Sequence, residues 1–350
     1  MSERFLEVVD AGPACSVQDV GRSGYQALGV PRSGALDAVA LRLANALVGN
    51  AQDAAGLEFR LMGPTLRISG GSLVIAIAGA ATGRLTAEEG SGIAPIQMTP
   101  WRSYLLEEGW TLRLTSEGAC FGYVAVSGGV AVSPVLGSRS TYQRAGLGGY
   151  EGRMLATGDR LPLGDASPST RLLQLRSTPA PSEDPIRVVR GPQSEYFTDA
   201  AWKTFLAAEY RVSMEADRMG VRLEGDALEH DATLGAEIVS DGLADGAIQV
   251  PGSGLPIVLL VDRQTVGGYP KIAVVASVDV GRFAWLGPGD AIRFSEISVD
   301  DAEQALIARE QQVVELISNM IEARSPGTID VAALWTANIA GKAVNALEVD

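Results

Sequence analysis

The sequence predicts a mainly β protein built from two domains, with a helical segment appended at its C-terminal end. Short apolar runs separated by glycine-rich turns recur up to about residue 297, and stretches with helical periodicity are few. Strands at this spacing are typical of β-barrels or sandwiches rather than of a doubly wound α/β sheet. The chain of 350 residues is long enough for two ordinary domains with sizeable cores.

One helix and several strands are predicted along the two domains. Residues 35–50, ALDAVALRLANALVGN, interrupt the β pattern early, because Leu36, Val39 and Leu43 fall on one helical face and Gly-Asn ends the run. The runs TLRISGG, SLVIAIAG, WTLRLTSEG and FGYVAVSGG predict strands of the first domain. The runs IRVVRG, AIQVPGSG, PIVLLV and KIAVVASV predict strands of the second.

The boundary between the two domains is predicted at STPAPSEDP, which is rich in proline, serine and acidic residues and offers nothing to bury. Segments on either side of it, 144–163 and 265–294, both carry Gly-Gly-Tyr and later Gly-Asp before an apolar strand. This repetition predicts two domains of similar β topology. The predicted division is an N-terminal β-barrel domain at 1–176, a linker at 177–185, a C-terminal β-barrel domain at 186–297 and a helical tail at 298–350.

The tail differs from the rest of the chain. DDAEQALIAREQQVVELISNMIEAR, residues 300–324, opens with Asp300 and Glu303 in the register of a capping box and continues with helical periodicity. Ser-Pro-Gly ends this helix, and DVAALWTANIAGKAVNAL predicts a second one. We expect the helical pair to pack on the surface of the protein itself.

Composition excludes several classes of partner. A formal net charge of −14 disfavours nucleic acid and acidic membrane surfaces, because no basic stripe is present. The apolar runs are far shorter than the roughly 20 residues of a membrane span. Residues 1–10 lack the apolar region of a signal peptide, and two cysteines give no disulfide framework. These observations predict a cytoplasmic protein.

Several common catalytic and ligand-binding motifs are also absent from the sequence. It contains no G-x-S-x-G elbow, no phosphate-binding G-x-x-x-x-G-K-[ST] loop and no cysteine-rich metal motif. A Ser-His-Asp triad would need the single histidine, His230, which stands beside Asp231 in a loop-like stretch. We therefore predict no metal site and expect the chemistry to rest on carboxylates, amides and cations.

The densest polar cluster is VDRQTVGGYPKIA, residues 261–273, which lies between two apolar strands. It places five hydrogen-bonding side chains around a glycine pair: Asp262, Arg263, Gln264, Tyr269 and Lys271, with Gly267 and Gly268. A lysine next to an apolar strand must either extend to solvent or reach a carboxylate or an anion. Lys271 is therefore predicted to belong to a site, although the glycines alone would be explained by positive φ angles in a hairpin.

Three further segments concentrate polar residues. EADRMG contains Asp217 and Arg218, and GSRST contains Arg139, Ser140 and Thr141. The stretch SVQDVGRSGYQALGVPRSGALD adds a similar group with Gln18, Asp19, Arg22 and Asp37. Each has a purely structural alternative, because Asp-Arg neighbours often form salt bridges in loops and serine or threonine hydroxyls often cap turns.

Seven ordered segments carry a resemblance to a known family. SVQDVGRSGYQALGVPRSGALD, ANALVGN, VLGSRST, GGYEGRMLATGD, ADRMGVRLEG, IVSDGLADGAIQVPGSGLPIVLLVDRQTVGGYPKIA and LGPGDAIRF together resemble the KipA family. This family is also known as allophanate hydrolase subunit 2, as biotin-dependent carboxyltransferase-like protein or as the C subunit of 5-oxoprolinase. The resemblance covers roughly residues 6–297 and does not include the tail.

The resemblance implies two cyclophilin-like β-barrel domains. It also implies one component of an ATP-dependent 5-oxoprolinase, inactive alone, whose complex uses ATP to open 5-oxoproline to glutamate. The expected partners are a KipI-like protein, which is the B subunit of 5-oxoprolinase, and a lactam-utilisation protein, which is the A subunit.

Two alternatives remain open. One is a biotin-dependent carboxyltransferase component, related to urea amidolyase, that acts on urea or an amide. The biotin would be carried on another chain, because no A-M-K-M site is present and Lys342 in AGKAV does not match one. The other alternative is a regulatory protein that binds and antagonises a KipI-like partner.

The resemblance also suggests roles for the polar residues. A planar lactam or urea-like substrate needs paired donors and acceptors, and a carboxylate or developing oxyanion needs cations. Asp262 is the candidate general base, because a carboxylate in a partly desolvated barrel mouth can have a raised pKa. The expected catalytic residues are Asp262, Lys271 and Tyr269, and the expected substrate-binding residues are Arg263, Gln264, Arg218, Asp217, Gly267, Gly268, Arg139, Ser140 and Thr141.

Overall fold

The structure is a computed structural model that describes residues 4–165, 171–179 and 182–323. The strands of its first part are β1 Phe5–Asp10, β2 Ala14–Gln18, β3 Gly56–Arg60, β4 Met62–Ser69, β5 Leu73–Gly79, β6 Ala81–Thr86, β7 Ile96–Met98, β8 Arg102–Leu106, β9 Thr111–Ser116, β10 Phe121–Val126, β11 Arg160–Pro162 and β12 Leu173–Gln174. Those of its second part are β13 Ile186–Arg190, β14 Tyr210–Val212, β15 Gly220–Glu224, β16 Asp241–Gly242, β17 Ala247–Gln249, β18 Ile257–Leu259, β19 Val266–Gly267, β20 Lys271–Val275, β21 Ala291–Ile292, β22 Phe294–Glu296 and β23 Ile321–Glu322. The helices are α1 Ala38–Leu47, α2 Asp199–Ala207, α3 Ser277–Val280 and α4 Val299–Ser318.

Two sheets of the first half enclose one core. The first has the strand order β11-β1-β4-β9-β6-β7, and the second runs β2-β3-β10-β5-β8-β12-β23. Apolar side chains such as Leu6, Leu66, Phe59 and Ile75, which come from both sheets, are buried together between them. The apolar runs of the sequence predicted these buried strands.

The second half forms a sheet of its own with the order β21-β14-β15-β18-β17-β20-β13-β22. All its pairings are antiparallel except β13 with β22. A separate two-strand ladder joins β16 to β19. The mainly β fold class with an appended C-terminal helix is confirmed.

Helix α1 lies where the helical periodicity predicted a helix, over a shorter span. It begins after Asp37, whose side chain accepts a hydrogen bond from the backbone N–H of Ala40 at 3.0 Å. Leu41, Leu43 and Leu47 are buried on its inner face. The chain leaves the helix through Gly49, which has φ +76°.

A second apolar core lies between the two halves. Residues of α1 and of the outer face of the second sheet, such as Leu43 and Tyr123, are buried in the same cluster as Phe205, Tyr210 and Phe294 of the second half. The division into two domains with a linker at 177–185 stays a prediction. The described part of that segment is held by Arg282, whose guanidinium donates to the carbonyl oxygens of Ser182 and Pro185.

Helix α4 packs on the protein itself. Val313 is fully buried, and Glu310 accepts two hydrogen bonds of 2.7 Å from Arg42 on α1. The chain then adds β23 to β12 of the first half, and α4 also contacts α3 and β13 of the second half, so the tail contacts both halves.

The predicted capping pair of Asp300 and Glu303 is wrong, because the N-cap of α4 is Ser298. The Ser298 hydroxyl accepts from the Asp301 backbone N–H at 3.0 Å and donates to the Asp301 carboxylate at 2.7 Å. The predicted end at residue 324 is also wrong, because pairing with β12 replaces the last helical turn by strand β23. The second predicted helix of the tail lies outside the described residues. No helix in the described part of the chain is long and apolar enough to cross a membrane.

Candidate functional site

A buried ion cluster lies where the two halves meet, and the ladder of β15 with β18 positions it. Gly220 pairs with Leu259 in this antiparallel ladder, so the residues just before β15 and just after β18 are neighbours. The backbone N–H of Asp262 accordingly donates to the carbonyl of Arg218 at 2.9 Å. Their side chains then extend toward the first half, where β3 presents Glu58.

Arg218 links the two carboxylates. Its Nε donates to Oδ2 of Asp262 at 2.7 Å and its Nη2 to Oδ1 at 3.1 Å, which makes the pair bidentate. Its Nη1 donates to Oε1 of Glu58, and its Nη2 also donates to the carbonyl of Gly34 at 2.8 Å. Oε2 of Glu58 accepts from the backbone N–H of Leu36 at 2.7 Å. The guanidinium therefore holds both halves together through charged groups.

The cluster places one cation between two carboxylates, so it carries a net negative charge when both carboxylates are ionised. Burial raises the pKa of Glu58 above its ordinary value, against the opposing attraction of Arg218. Burial alone would lower the pKa of Arg218, but the carboxylates of Asp262 and Glu58 raise it above its ordinary range. Burial therefore favours the protonated form of Glu58, next to a permanently charged guanidinium.

A cavity of about 480 Å³ opens onto this cluster. It is lined by side chains of both halves, among them Glu58, Arg218 and Asp262 together with Ser16 and Tyr142. Its volume lies within the range of small-molecule sites. Carboxylates that can give and accept protons at such a cavity are the groups that general acid–base chemistry requires.

A larger groove of about 1000 Å³ lies between α1, α3 and α4. It contains none of the predicted site residues. Most of its carboxylates are already engaged, Glu310 by Arg42 and Asp279 by Arg187. We therefore assign the candidate site to the smaller cavity, where the ion cluster borders open space.

Lys271 does reach a carboxylate, as its position predicted. Its ammonium donates to Oδ2 of Asp241 at 2.8 Å, although Lys271 is 2% exposed and the Asp241 side chain 53%. Hydrogen bonds from Lys271 and from the backbone of Gly242 lower the pKa of Asp241. The pair ties β20 to the small ladder of β16 with β19. Within the described residues, no hydrogen bond joins Lys271 to Asp262.

The expectation of positive φ at the glycine pair is wrong, because neither Gly267 nor Gly268 has a positive φ. A Cβ at Gly267 would lie 2.6 Å from Nε2 of Gln249, so a side chain there would require the Gln249 amide to shift. Gln264 and Tyr269, on either side of this pair, are both exposed.

Arg263 is buried and fully engaged. It donates to the carboxylate of Asp245, to the carbonyl of Leu243 at 2.9 Å and to Oε1 of Gln26 at 3.0 Å. Burial raises the pKa of Asp245. These contacts anchor the turn at residues 26–28 of the first half onto the second half.

The segment with Arg139, Ser140 and Thr141 does not contact the ion cluster. Arg139 and Ser140 bind the carboxylate of Asp19, and Thr141 binds strand β2. Asp19 accepts from the backbone N–H of Arg139 at 2.6 Å, from the hydroxyl of Ser138 at 2.7 Å and from the hydroxyl of Ser140. The hydroxyl of Thr141 donates to the carbonyl of Val17 at 3.0 Å. Asp217 is exposed and accepts from the backbone N–H groups of Met219 and Gly220, so it caps the turn before β15.

Of the predicted residues, only Arg218 and Asp262 bond to each other's side chains in the described part of the chain. The sequence interpretation missed the acidic partners Glu58 and Asp245, and it placed Asp19 in a polar segment without identifying the residues that bind it. Glu58 had a usable signal, because an acid in the centre of GLEFR, between apolar neighbours, must find a partner when the strand is buried. Across residues 4–165, 171–179 and 182–323, no group of three or more His, Cys, Asp or Glu is placed to hold a metal ion.

Comparison with known proteins gives a consistent result. The family described as carboxyltransferase domain, subdomain A and B, matches residues 28–296. The chain is 36% identical to the C subunit of the 5-oxoprolinase of Escherichia coli over 315 residues, which cover 88% of this chain and 95% of the relative.

Two solved structures are similar as well. The crystal structure of TTHA0988 is 37% identical with a TM-score of 0.73, and the match covers 84% of this chain and 56% of that one. The crystal structure of the Kluyveromyces lactis urea carboxylase is 28% identical with a TM-score of 0.80, and the match covers 91% of this chain and 30% of that one. The chain thus spans about half the length of the first structure and less than a third of the second.

Proposed function

Because the chain belongs to the family of the carboxyltransferase domain, subdomain A and B, we propose that it is the C subunit of an ATP-dependent 5-oxoprolinase. In this role it acts in the cytoplasm, in one complex with a KipI-like protein as the B subunit and a lactam-utilisation protein as the A subunit. The complex converts 5-oxoproline, ATP and two molecules of water to glutamate, ADP and inorganic phosphate. The similarity to the C subunit of the Escherichia coli 5-oxoprolinase, which extends over 95% of that relative, carries this proposal.

The reaction site is the cavity with Glu58, Arg218 and Asp262. Opening the lactam forms a bond from a water oxygen to the ring carbonyl carbon and breaks the bond from that carbon to nitrogen. The water must lose a proton, and the ring nitrogen must gain one. Asp262 accepts the first proton as general base, and Glu58, whose pKa burial raises, supplies the second. The only histidine cannot serve here, because its ring packs on Phe197 and contacts the carbonyl of Val250.

The other predicted residues act around this cavity. Lys271 and Arg263 fix the segment from Asp262 to Lys271 through Asp241 and Asp245, so we assign them positioning roles. Gln264 and Tyr269 are exposed on that segment and are free to meet substrate or a partner protein.

Dependence on partner proteins is supported by the surface near the same segment. Val239 and Leu28 are 93% and 77% exposed, and Val266 is 57% exposed. Hydrogen bonds from Ile238 to Gly268 and from Gln26 to Leu243 bring their loops together. Apolar side chains with this exposure are typical of a surface that another protein covers.

A second candidate is a carboxyltransferase component that acts on urea or an amide. The similarity to the Kluyveromyces lactis urea carboxylase, with a TM-score of 0.80, favours it. Carboxybiotin held on another chain would supply the carboxyl group, while Arg218 and Asp262 would bind and orient the acceptor.

The test is to mix the chain with both partner proteins and ATP and to offer either 5-oxoproline or urea with bicarbonate. We expect glutamate from 5-oxoproline, no ATP hydrolysis with urea, and no inhibition by avidin. In a second mixture that also contains a biotin-carrying biotin carboxylase, urea-dependent and avidin-sensitive ATP hydrolysis that requires this chain would instead establish the carboxyltransferase. A complex that forms but whose glutamate formation never depends on this chain would leave only the regulatory role.

A further inference from the structure

Arg60 is a second cation at the wall of the candidate site. It lines the same cavity of about 480 Å³ as Glu58, and both residues belong to β3. Side chains two positions apart on a strand lie on the same face, so Glu58 and Arg60 extend from β3 in the same direction, with Cα atoms roughly 7 Å apart. Phe59, between them, is buried in the core of the first half. A guanidinium is therefore the neighbour of the Glu58 carboxyl group at the open space of the site.

The guanidinium of Arg60 is fixed in position but retains a free donor. Its Nε donates to the carbonyl of Ala119, and its Nη1 donates to the carbonyl of Ala216 at 2.6 Å. Its Cζ lies 5.4 Å from the ring centroid of Phe121, which lines the cavity as well. These contacts leave Nη2 without a hydrogen bond in the described part of the chain. Nη2 is not one of the fully buried unpaired atoms of that part, so its N–H groups reach open space.

The charge of Arg60 is uncompensated, unlike that of Arg218. Arg218 is also desolvated, but its two carboxylate partners raise its pKa above the ordinary range. Burial lowers the pKa of Arg60, and among the described residues no carboxylate forms an ion pair with it. The charge of Asp217 opposes this shift from a distance, while the Asp217 carboxylate itself accepts from the backbone N–H of Met219. The cavity thus presents a positive charge that a bound anion would satisfy.

The other arginines of this cavity are less suited to bind an anion. Every nitrogen of the Arg218 guanidinium already donates to a carboxylate or a carbonyl. Arg144 is exposed, and its hydrogen bond from Nη1 to Sδ of Met219, at 3.5 Å, is to a weak acceptor. Arg60 therefore combines a fixed guanidinium with an open donor, which neither of the other two does within the described residues.

We propose that Arg60 binds the carboxylate of a lactam amino acid and thereby selects 5-oxoproline over lactams that lack this group. In 5-oxoproline one carbon separates the ring nitrogen from the carboxylate. Because Glu58 supplies the proton to that nitrogen in the reaction described above, the carboxylate must lie close to Glu58, where Arg60 is the neighbour on the same face of β3. Urea has no carboxylate for Arg60 to bind. This inference rests on the proposed function and adds the residue that selects its substrate.

The test is Arg60→Met, which keeps an apolar stem beside Phe121 and removes the charge. In the assembled complex we expect KM for 5-oxoproline to rise about 10- to 100-fold with little change in kcat, because the lost contact holds substrate and transition state alike. Arg60→Lys restores the charge without the planar fork and should recover part of this loss.

The control is Arg102→Met. Arg102 lies over the ring of Tyr104 at 5.3 Å, as Arg60 lies over Phe121, but it belongs to β8 and does not line the cavity. We expect its KM for 5-oxoproline to stay within about twofold of the wild type.

A second ligand separates carboxylate binding from a structural role, since Arg60 also holds two backbone carbonyls. The ligand is 5-oxoprolinamide, in which a neutral amide replaces the carboxylate, and its inhibition constant should change by less than about threefold in Arg60→Met. An equal loss of affinity for both ligands, or a fall in kcat and Tm with KM unchanged, would mean that Arg60 only supports the fold and would overturn the inference. A rise in KM that occurs in Arg144→Met but not in Arg60→Met would overturn it as well.

The same measurements distinguish this inference from the proposed function. If glutamate formation requires this chain but Arg60→Met leaves KM unchanged, the subsite is refuted and the proposed function stands. If no mixture with the partner proteins forms glutamate, calorimetry with the full-length chain decides. Binding of 5-oxoproline in preference to 5-oxoprolinamide that Arg60→Met abolishes would then support the subsite and refute only the proposed function, and the absence of such binding would refute both.

Discussion

Arg218 and Asp262 of the second half form a bidentate pair, with distances of 2.7 Å and 3.1 Å, beside the point where the two halves of the molecule meet. Neither residue lies in a strand. Arg218 comes just before β15 and Asp262 just after β18, and the pairing of these two strands brings their backbones together. Because Arg218 also binds Glu58 of the first half, this pair couples the fold to the site: any change in the cluster should affect both stability and chemistry.

Replacing Asp262 by Asn should remove the general base while preserving shape. We expect glutamate formation by the complex to fall about 100-fold or more, because an amide cannot accept the proton of the attacking water. The measurement is glutamate release per mole of assembled complex, with assembly checked by gel filtration. Asp226→Asn, at an exposed position, is the matched control. Activity within about twofold of the wild type would show that Asp262 only pairs with Arg218.

Glu58→Gln should change how stability depends on pH. Burial raises the pKa of Glu58 above its ordinary 4.5, so the folded protein binds this proton more tightly than the unfolded chain. The stabilisation is complete below about pH 4.5 and is lost as the pH rises through the folded pKa. Urea unfolding of both proteins between about pH 4.5 and 7.5 should therefore favour the variant progressively as the pH increases. A difference that does not vary with pH contradicts the assignment.

Lys271 and Asp241 should behave as one unit. We expect Lys271→Met and Asp241→Asn each to lower glutamate formation about tenfold, and the double variant to lose no more than either one, because both changes release the same segment. Lys203→Met, at an exposed position of α2, serves as the lysine control. Losses that multiply in the double variant would mean that the two residues act independently.

Gly148→Ala should be far more harmful than Gly146→Ala. Both glycines have positive φ, +68° and +60°, but a Cβ at Gly148 collides with the carbonyl of Ser140, whereas no described atom lies within 4 Å of one at Gly146. We expect a loss of about 2 kcal/mol or more in the free energy of unfolding for Gly148→Ala and about 1 kcal/mol for Gly146→Ala. Urea unfolding measures both, and equal losses would show that φ alone accounts for the requirement.

The strands and α1 could be predicted from the sequence because their apolar periodicity is local. The runs SLVIAIAG and FGYVAVSGG became β5 and β10, with every residue of both strands buried. The end of α4 could not be predicted in this way, since pairing of β23 with β12 depends on a segment about 150 positions away.

The candidate site was predictable only in part. Lys271 was identified because a charged residue next to an apolar strand needs a partner, whereas Asp262 and Arg218 were assigned to the site through the family resemblance. The partners of these residues are determined by the tertiary structure, because Glu58 lies 160 positions from Arg218 and Asp241 lies 30 positions from Lys271. No local pattern reports such distances, so the separation of the predicted cluster into several ion pairs had to come from the structure.

The most direct test of the central claim is a titration of this chain into fixed amounts of the two partner proteins, with 5-oxoproline and ATP present and glutamate as the readout. The account predicts no glutamate without the chain, a rise to a plateau at a fixed stoichiometric ratio, and no rise with the Asp262→Asn chain. Glutamate formation that is the same with and without the chain, or that the Asp262→Asn chain restores in full, would contradict it.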